Sequence, residues 1–297
     1  MKYLPDHFKS NKFGTTKAEE TDKNAKIDYK IVTLEHEDIS LLNSIKPDTW
    51  SSISEIHNHY LTVKSAYPIK AVGSDGEILG IGTGLLFNKT GWLAHIIVSG
   101  LYQNRGIGTA VVNNRVEFLR ERCGCKTITL TATDQGYPVY KKIGFKEESM
   151  YRIMIKPENV VFPERHTSNI YEIEEKYYDE IFALDFKTSG EQRNEFLRPL
   201  LAKGFMYVKN NHVQGFYIPQ FGDSGVTALT EEAGIALLQE RIFEDAKIFI
   251  PAENEAGYKY LLSEGYKELK QIHRMILGCP FPRNPEYCYS RIGGFTG

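Results

Sequence analysis

The chain has 297 residues, 41% of them apolar and 25% charged, with a formal net charge of −2. This is an ordinary globular composition without the basic footprint that nucleic acid or an anionic membrane surface would require, so neither is expected as a partner. No run of about 18 apolar residues occurs and the first ten residues lack an apolar signal core, which predicts a cytoplasmic protein with no membrane span.

At about 150 residues per core the length predicts two domains. Four cysteines, Cys123, Cys125, Cys279 and Cys288, are too few and too irregular for a disulfide framework. Cys123 and Cys125 find no His or Cys group at zinc spacing, so no metal is expected and they read as small apolar side chains at a helix end.

Residues 1–27 mix charged and polar side chains without periodicity and read as a flexible extension. "IDYKIVTL" predicts a strand; "EDISLLNSI" and "SSISEIHNHYLTV" predict short helices with Asp or Ser near their caps. "PIKAV", "ILGIGTGLLF" and "WLAHIIV", separated by Gly-containing turns, predict three antiparallel strands. Val112, Val116, Leu119 and Cys123 share one helical face that Gly124 closes, and Ile128, Leu130 and Ala132 alternate as in a strand. Strand, helix and strand form a right-handed crossover, so residues 28–156 are mixed α/β with a mostly antiparallel sheet.

Beyond a linker at 157–167, residues 168–297 read as helix, hairpin, helix, strand and helix. "LTATDQGYPVYKKIGF" and "PAENEAGYKYLLSEGY" align with Gly144-Phe145 over Gly265-Tyr266, and the second half reads as a diverged copy of the first.

Between strand and helix stands "VSGLYQNRGIGTA". Unpaired amides at a helix N-terminus attract an anion, and glycines let the backbone approach it. The segment lacks the Lys-Ser/Thr ending of a nucleotide P-loop and the third glycine of a dinucleotide fold. Arg105 and Thr109 suit a pyrophosphate, yet from these residues alone a plain glycine-rich turn stays equally open.

Gln103-x-x-Gly106-x-Gly108 after a strand, followed about 30 residues later by "PVYKKIGF", resembles the acetyl-CoA signature of the GNAT superfamily of N-acetyltransferases, in particular members carrying a second, degenerate GNAT-like domain. The resemblance covers roughly residues 28–156 and more weakly 168–297. It implies tandem α/β (α+β) domains and an acetyl-CoA site at Gln103, Asn104, Arg105, Gly106, Ile107, Gly108 and Thr109. The main chain at Ile96, Ile97 and Val98 would hold the pantetheine arm and the thioester carbonyl. Tyr140 falls where many members have the tyrosine that protonates the departing thiolate.

The proton acceptor is less defined. His95 is a candidate, although simple alternation sets it opposite Trp92 and Ala94, so that only a bulge would turn it into the cleft. Glu55, His57 and His59 sit in the helical segment that would wall the acceptor site, and Asp134 reads as a helix cap. In the second half "GVTALTEEAG" replaces the glycine loop and Leu261 stands at the Tyr140 position, so that copy is expected to have lost acetyl-CoA and to cover the acceptor pocket, lined by the aromatic residues of "NHVQGFYIPQF" and the segment ending the sequence.

The expected activity is transfer of acetyl from acetyl-CoA to a primary amine of a small molecule by direct attack, in a monomer or homodimer. A non-catalytic acyl-CoA-binding regulatory module and a protein or peptide amine acetyltransferase are the alternatives.

Overall fold

The computed structural model describes residues 27–47, 52–156, 168–242 and 247–296. The extension expected at 1–27, save Ile27, and the linker expected at 157–167 lie outside the described residues. The first half runs β1 (Tyr29–Thr33), a 3₁₀ helix (His36–Ser44), α1 (Ser54–Thr62), β2 (Ala66–Gly73), β3 (Ile78–Phe87), β4 (Thr90–Val98), α2 (Ile107–Glu117), β5 (Thr127–Ala132), α3 (Tyr137–Ile143) and β6 (Lys146–Ile155). The second runs β7 (Ile170–Glu172), α4 (Tyr178–Ser189), α5 (Asn194–Leu201), β8 (Phe205–Lys209), β9 (His212–Tyr217), β10 (Val226–Ala228), α6 (Glu231–Ile242), β11 (Lys247–Pro251), α7 (Glu255–Ser263), β12 (Lys267–Gly278) and β13 (Cys288–Ser290).

Local sequence explains most of these elements. "EDISLLNSI" forms a 3₁₀ rather than an α-helix, closed by Glu35, whose backbone N–H donates to Asp38 at 2.8 Å. No serine caps α1 in the expected way; the Asn43 side-chain oxygen accepts from the Ile53 amide instead. After Glu117 the helix widens into a π turn, Phe118–Arg122, before Gly124 closes it at φ +69°. Asp134 does not cap α3; its carboxylate pairs with Lys270 at 3.1 Å.

The alternation of glycines in β3 decides how α2 packs. A Cβ on Gly80 would meet Ile107, one on Gly82 would meet Val111, and one on Gly84 would meet Leu119. Three bare positions on one face let α2 and its π turn lie close against the strand. On the other face Ile81, Leu85 and Phe87 are buried.

Two sheets result. The larger has the order β1-β2-β3-β4-β5-β12-β6-β11, and the smaller β13-β10-β9-β8-β7. β4 and β5 are parallel and pair only from Thr90–Trp92 with Thr127–Thr129. Beyond Trp92 the two strands part, leaving a V-shaped opening whose walls are the free lengths of β4 and β5.

The halves expected at 28–156 and 168–297 share the larger sheet. β12 lies between β5 and β6, antiparallel to both, and β11 pairs with the outer edge of β6. The echo in the sequence reappears as one local geometry. Gly144 at φ +106° ends α3 and Gly265 at φ +84° follows α7. The next amide, of Phe145 or Tyr266, bonds back to the carbonyl of Tyr140 or Leu261. Only a residue free of a Cβ adopts this left-handed turn without strain, and it delivers the following ring into the core.

The largest apolar cluster joins the halves. Tyr60, Leu85, Phe87, Trp92 and Ala94 pack with Ile181, Phe182, Phe196, Leu197, Phe216 and Phe295. Among the described residues no helix is long and apolar enough to cross a membrane, and no group of three or more His, Cys, Asp or Glu is placed to hold a metal ion.

Candidate active site

The mouth of the opening is built by the segment between β4 and α2. Asn104 at φ +62° and Gly106 at φ +82° turn the chain so that α2 begins directly after the strand. The Ala110 amide is the first to bond inward, to the Gly106 carbonyl at 3.0 Å. The amides of Ile107, Gly108 and Thr109 precede it and form the unpaired N–H set of a first helical turn. A Cβ on Gly106 would meet nothing within 4 Å, so solvent or a ligand has the space in front of it.

The Gln103 carboxamide donates to the Val98 carbonyl at 3.3 Å and accepts from Gln135 at 3.1 Å. It thereby ties the end of β4 to the turn entering α3 across the opening. Arg105 lies 5.9 Å over the Tyr102 ring, half-buried beside the loop.

On β4 the register against β3 shifts by one residue between Ile81↔Ile97 and Thr83↔Ala94. The extra residue falls at His95, whose φ is +47°. The bulge corrects the alternation argument: His95 turns to the same side as Trp92 and Ala94, toward α1. There the Tyr60 hydroxyl is 2.9 Å from His95 Nδ1, the His57 ring is 5.1 Å away, and the Phe295 ring stacks on the imidazole at 5.4 Å. Burial, and after it the neighbouring His57, holds the His95 pKa well below the usual imidazole value, so the ring is neutral near pH 7. Ile96 and Val98 face α2, while Ile97 is buried on the 3₁₀-helix side.

Tyr140 lies in the other core, among Leu93, Leu130, Ala132 and Phe145. Its ring meets Phe145 edge-on at 5.9 Å, and burial pushes its pKa up, so it is a phenol at any physiological pH. Its hydroxyl has no hydrogen-bond partner among the described residues. The small Gly136 makes room for this ring: a Cβ there would sit 2.9 Å from Tyr140 Cε2. Tyr140 and His95 thus approach the parted strands from opposite faces of the sheet.

The three α1 residues do not share a fate. Glu55 is exposed. His57 is wholly buried, with Nδ1 2.8 Å from the Ile53 carbonyl, and desolvation lowers its pKa to about 4. His59 is edge-on to Phe196 and Phe221 at 4.6 and 4.9 Å, and desolvation likewise lowers it to about 4. Tyr60 follows His57 by one helical turn, a spacing readable in the sequence. The approach of Phe295 depends on tertiary packing; only its segment, not its contact with His95, was foreseen.

Residues 37–145 match the Acetyltransferase (GNAT) family. No curated protein matches the chain. Among solved structures, a proposed acetyltransferase of Pyrococcus horikoshii superimposes over 94% of this chain and 100% of its own, with 21% identity and a TM-score of 0.78. A GCN5-related N-acetyltransferase of Sphaerobacter thermophilus covers 85% of this chain and 98% of its own, at 12% identity and a TM-score of 0.59. At these identities the likeness is one of fold, and it extends across both halves. Residues 37–145, carrying the parted strands and the glycine turn, are an acetyltransferase domain of the GNAT family.

Proposed function

We propose that the chain transfers the acetyl group of acetyl-CoA to a primary amine of a small molecule by direct attack on the thioester. The observation that carries this reading is the parting of β4 from β5 beyond Trp92, with the free amides of α2 at its mouth. An extended pantetheine arm can pair with the main chain of Ile96–Val98 in place of the missing strand. The pyrophosphate then meets the amides of Ile107–Thr109 and the Arg105 guanidinium. The bare Gly106 keeps that approach open, while Gly108 lets the start of α2 lie close to Val98.

The chemistry follows from what flanks the strands. As the C–N bond forms, the thioester carbonyl oxygen gains negative charge, which a β4 backbone N–H stabilises at the bulge. The N–H of the tetrahedral adduct is far more acidic than a free ammonium ion, so neutral His95, oriented by Tyr60, suffices to accept its proton. As the C–S bond breaks, the Tyr140 hydroxyl delivers a proton to sulfur, and CoA leaves as the thiol. No covalent intermediate on the protein is needed.

The second half is read as a diverged copy whose last strand has changed places with that of the first: β12 lies beside β5, and β6 beside β11. It offers no second acetyl-CoA site. Thr230 already caps the α6 start by accepting from the Ala233 amide at 3.3 Å, and Glu231 and Glu232 in the first turn would repel a pyrophosphate.

The test is thiol release from acetyl-CoA over a panel of amines, run beside Gly106→Glu and Tyr140→Phe. Amine-dependent turnover that Gly106→Glu abolishes and Tyr140→Phe slows supports the assignment. Tight acetyl-CoA binding with no amine consumed overturns it in favour of a binding module.

A further inference from the structure

With the second half read as a copy of the first, β10 and β11 correspond to β4 and β5, each pair enclosing one helix. β10 and β11 lie in different sheets, and β13 stands between them. Val226 and Thr227 of β10 pair with Ser290 and Cys288, and the Arg291 amide donates to the Phe249 carbonyl of β11 at 3.0 Å. Where the first half has an opening, the second is filled by its own chain.

From β13 the chain runs on to His95, held at two points. The Ile292 carbonyl accepts from the Asp223 amide at 2.7 Å, in a space where a Cβ on Gly222 would run into it. Buried Arg193, whose Nε donates to buried Asp185 at 3.0 Å, also donates to the Thr296 carbonyl. Between these anchors Phe295, 3% exposed, stacks its ring on the His95 imidazole at 5.4 Å. The Tyr60, Phe196 and Phe221 rings stand around it at 6.0, 6.2 and 6.0 Å. Three residues before His95, the Trp92 indole N–H donates to both Glu191 carboxylate oxygens at 2.9 Å, and Arg274 lies over the same ring at 5.2 Å. The stretch of β4 that carries His95 is therefore held from the second half as well.

We propose that Phe295 is a positioning residue for His95, and that the second half serves the reaction by holding it there. This rests on the acetyl-transfer reading and deepens it. Tyr60 fixes the Nδ1 edge of the imidazole and Phe295 fixes its plane, so the ring keeps one orientation as the amine arrives. Once His95 accepts the proton it is a cation in apolar surroundings. The face of a phenyl ring within about 6 Å attracts that charge. Leucine at 295 would fill most of the same space and supply neither the flat surface nor the π electrons.

The test is a double-mutant cycle in kcat for amine-dependent thiol release, run on the full chain with His95→Gln and either Phe295→Leu or Gly293→Ala. Gly293→Ala keeps the phenyl and displaces it, since the new Cβ would run into Phe295 Cε1, and it carries the test if Phe295→Leu does not fold. Each change is expected to lower kcat about 10-fold in the wild-type background and to leave the KM for acetyl-CoA unchanged. In the His95→Gln background each should cost less than about 2-fold, because the ring it positions is gone. An equal loss in both backgrounds makes Phe295 a structural residue and overturns the inference while leaving acetyl transfer intact; so does full activity of both variants, or of His95→Gln. Absence of amine-dependent thiol release in the wild type overturns the acetyl-transfer reading, and the inference falls with it.

Discussion

Gly82→Ala tests the link between a glycine in a strand and the phosphate-binding turn. The added Cβ would lie 2.5 Å from Val111 Cγ1 and 2.8 Å from Ile96 Cδ1. The isoleucine tip can swing aside, but Val111 is branched at Cβ and fully buried, so α2 must lift off β3. Overpacking of this kind costs about 1–3 kcal/mol, offset by up to about 1 kcal/mol because alanine narrows the unfolded ensemble. The net expectation is a loss of about 1–2 kcal/mol, read as a lower urea midpoint at constant m-value. Because α2 carries the amides of Ile107–Thr109, the Kd for acetyl-CoA should rise in parallel. Gly100→Ala is the control: a Cβ there meets nothing within 4 Å, so both quantities should stay at wild type. A Gly82→Ala protein as stable as wild type, with unchanged acetyl-CoA affinity, would refute the packing argument.

Tyr140→Phe should lower kcat by about 100-fold or more yet leave thermal stability within about 0.5 kcal/mol of wild type, because the hydroxyl removed bonds to no described residue; calorimetric melting beside steady-state kinetics separates the two. Tyr60→Phe should cost about 1 kcal/mol through the lost bond to His95, and should shift the pH profile of kcat/KM rather than the KM for acetyl-CoA. For stability against pH, His57 and His59 are held near 4 in the fold against 6.5 in the unfolded chain. The unfolded chain therefore takes up protons first, and stability falls between pH 6.5 and 4, by about 3 kcal/mol for fully buried His57. Glu191 works in the opposite sense: raised from 4.5 to about 7, it favours the folded state as pH drops through that window. Urea melts at pH 5 and pH 8 should show Glu191→Gln gaining on wild type as pH rises; a constant difference would sink the assignment of that proton.

Much of the site's scaffold is legible in residue order because it is local. Gly106, Gly144 and Gly265 each sit where the chain must turn left-handed, a demand settled within a few residues, and the turn from β4 into α2 needs no distant partner. The alternating glycines of β3 were equally visible, although their meaning depends on which helix lies over them. His95 marks the limit. Its side of the strand hinges on a one-residue bulge, a competition between ladder hydrogen bonds and the packing of Tyr60, His57 and Phe295 that no period-two pattern encodes.

The place of β12 between β5 and β6, and the meeting of Trp92, Glu191 and Arg274, were likewise decided only by the tertiary structure. Strand order and buried polar contacts join residues far apart in the chain, and their free energy arises only once burial removes the water that would otherwise satisfy each group alone.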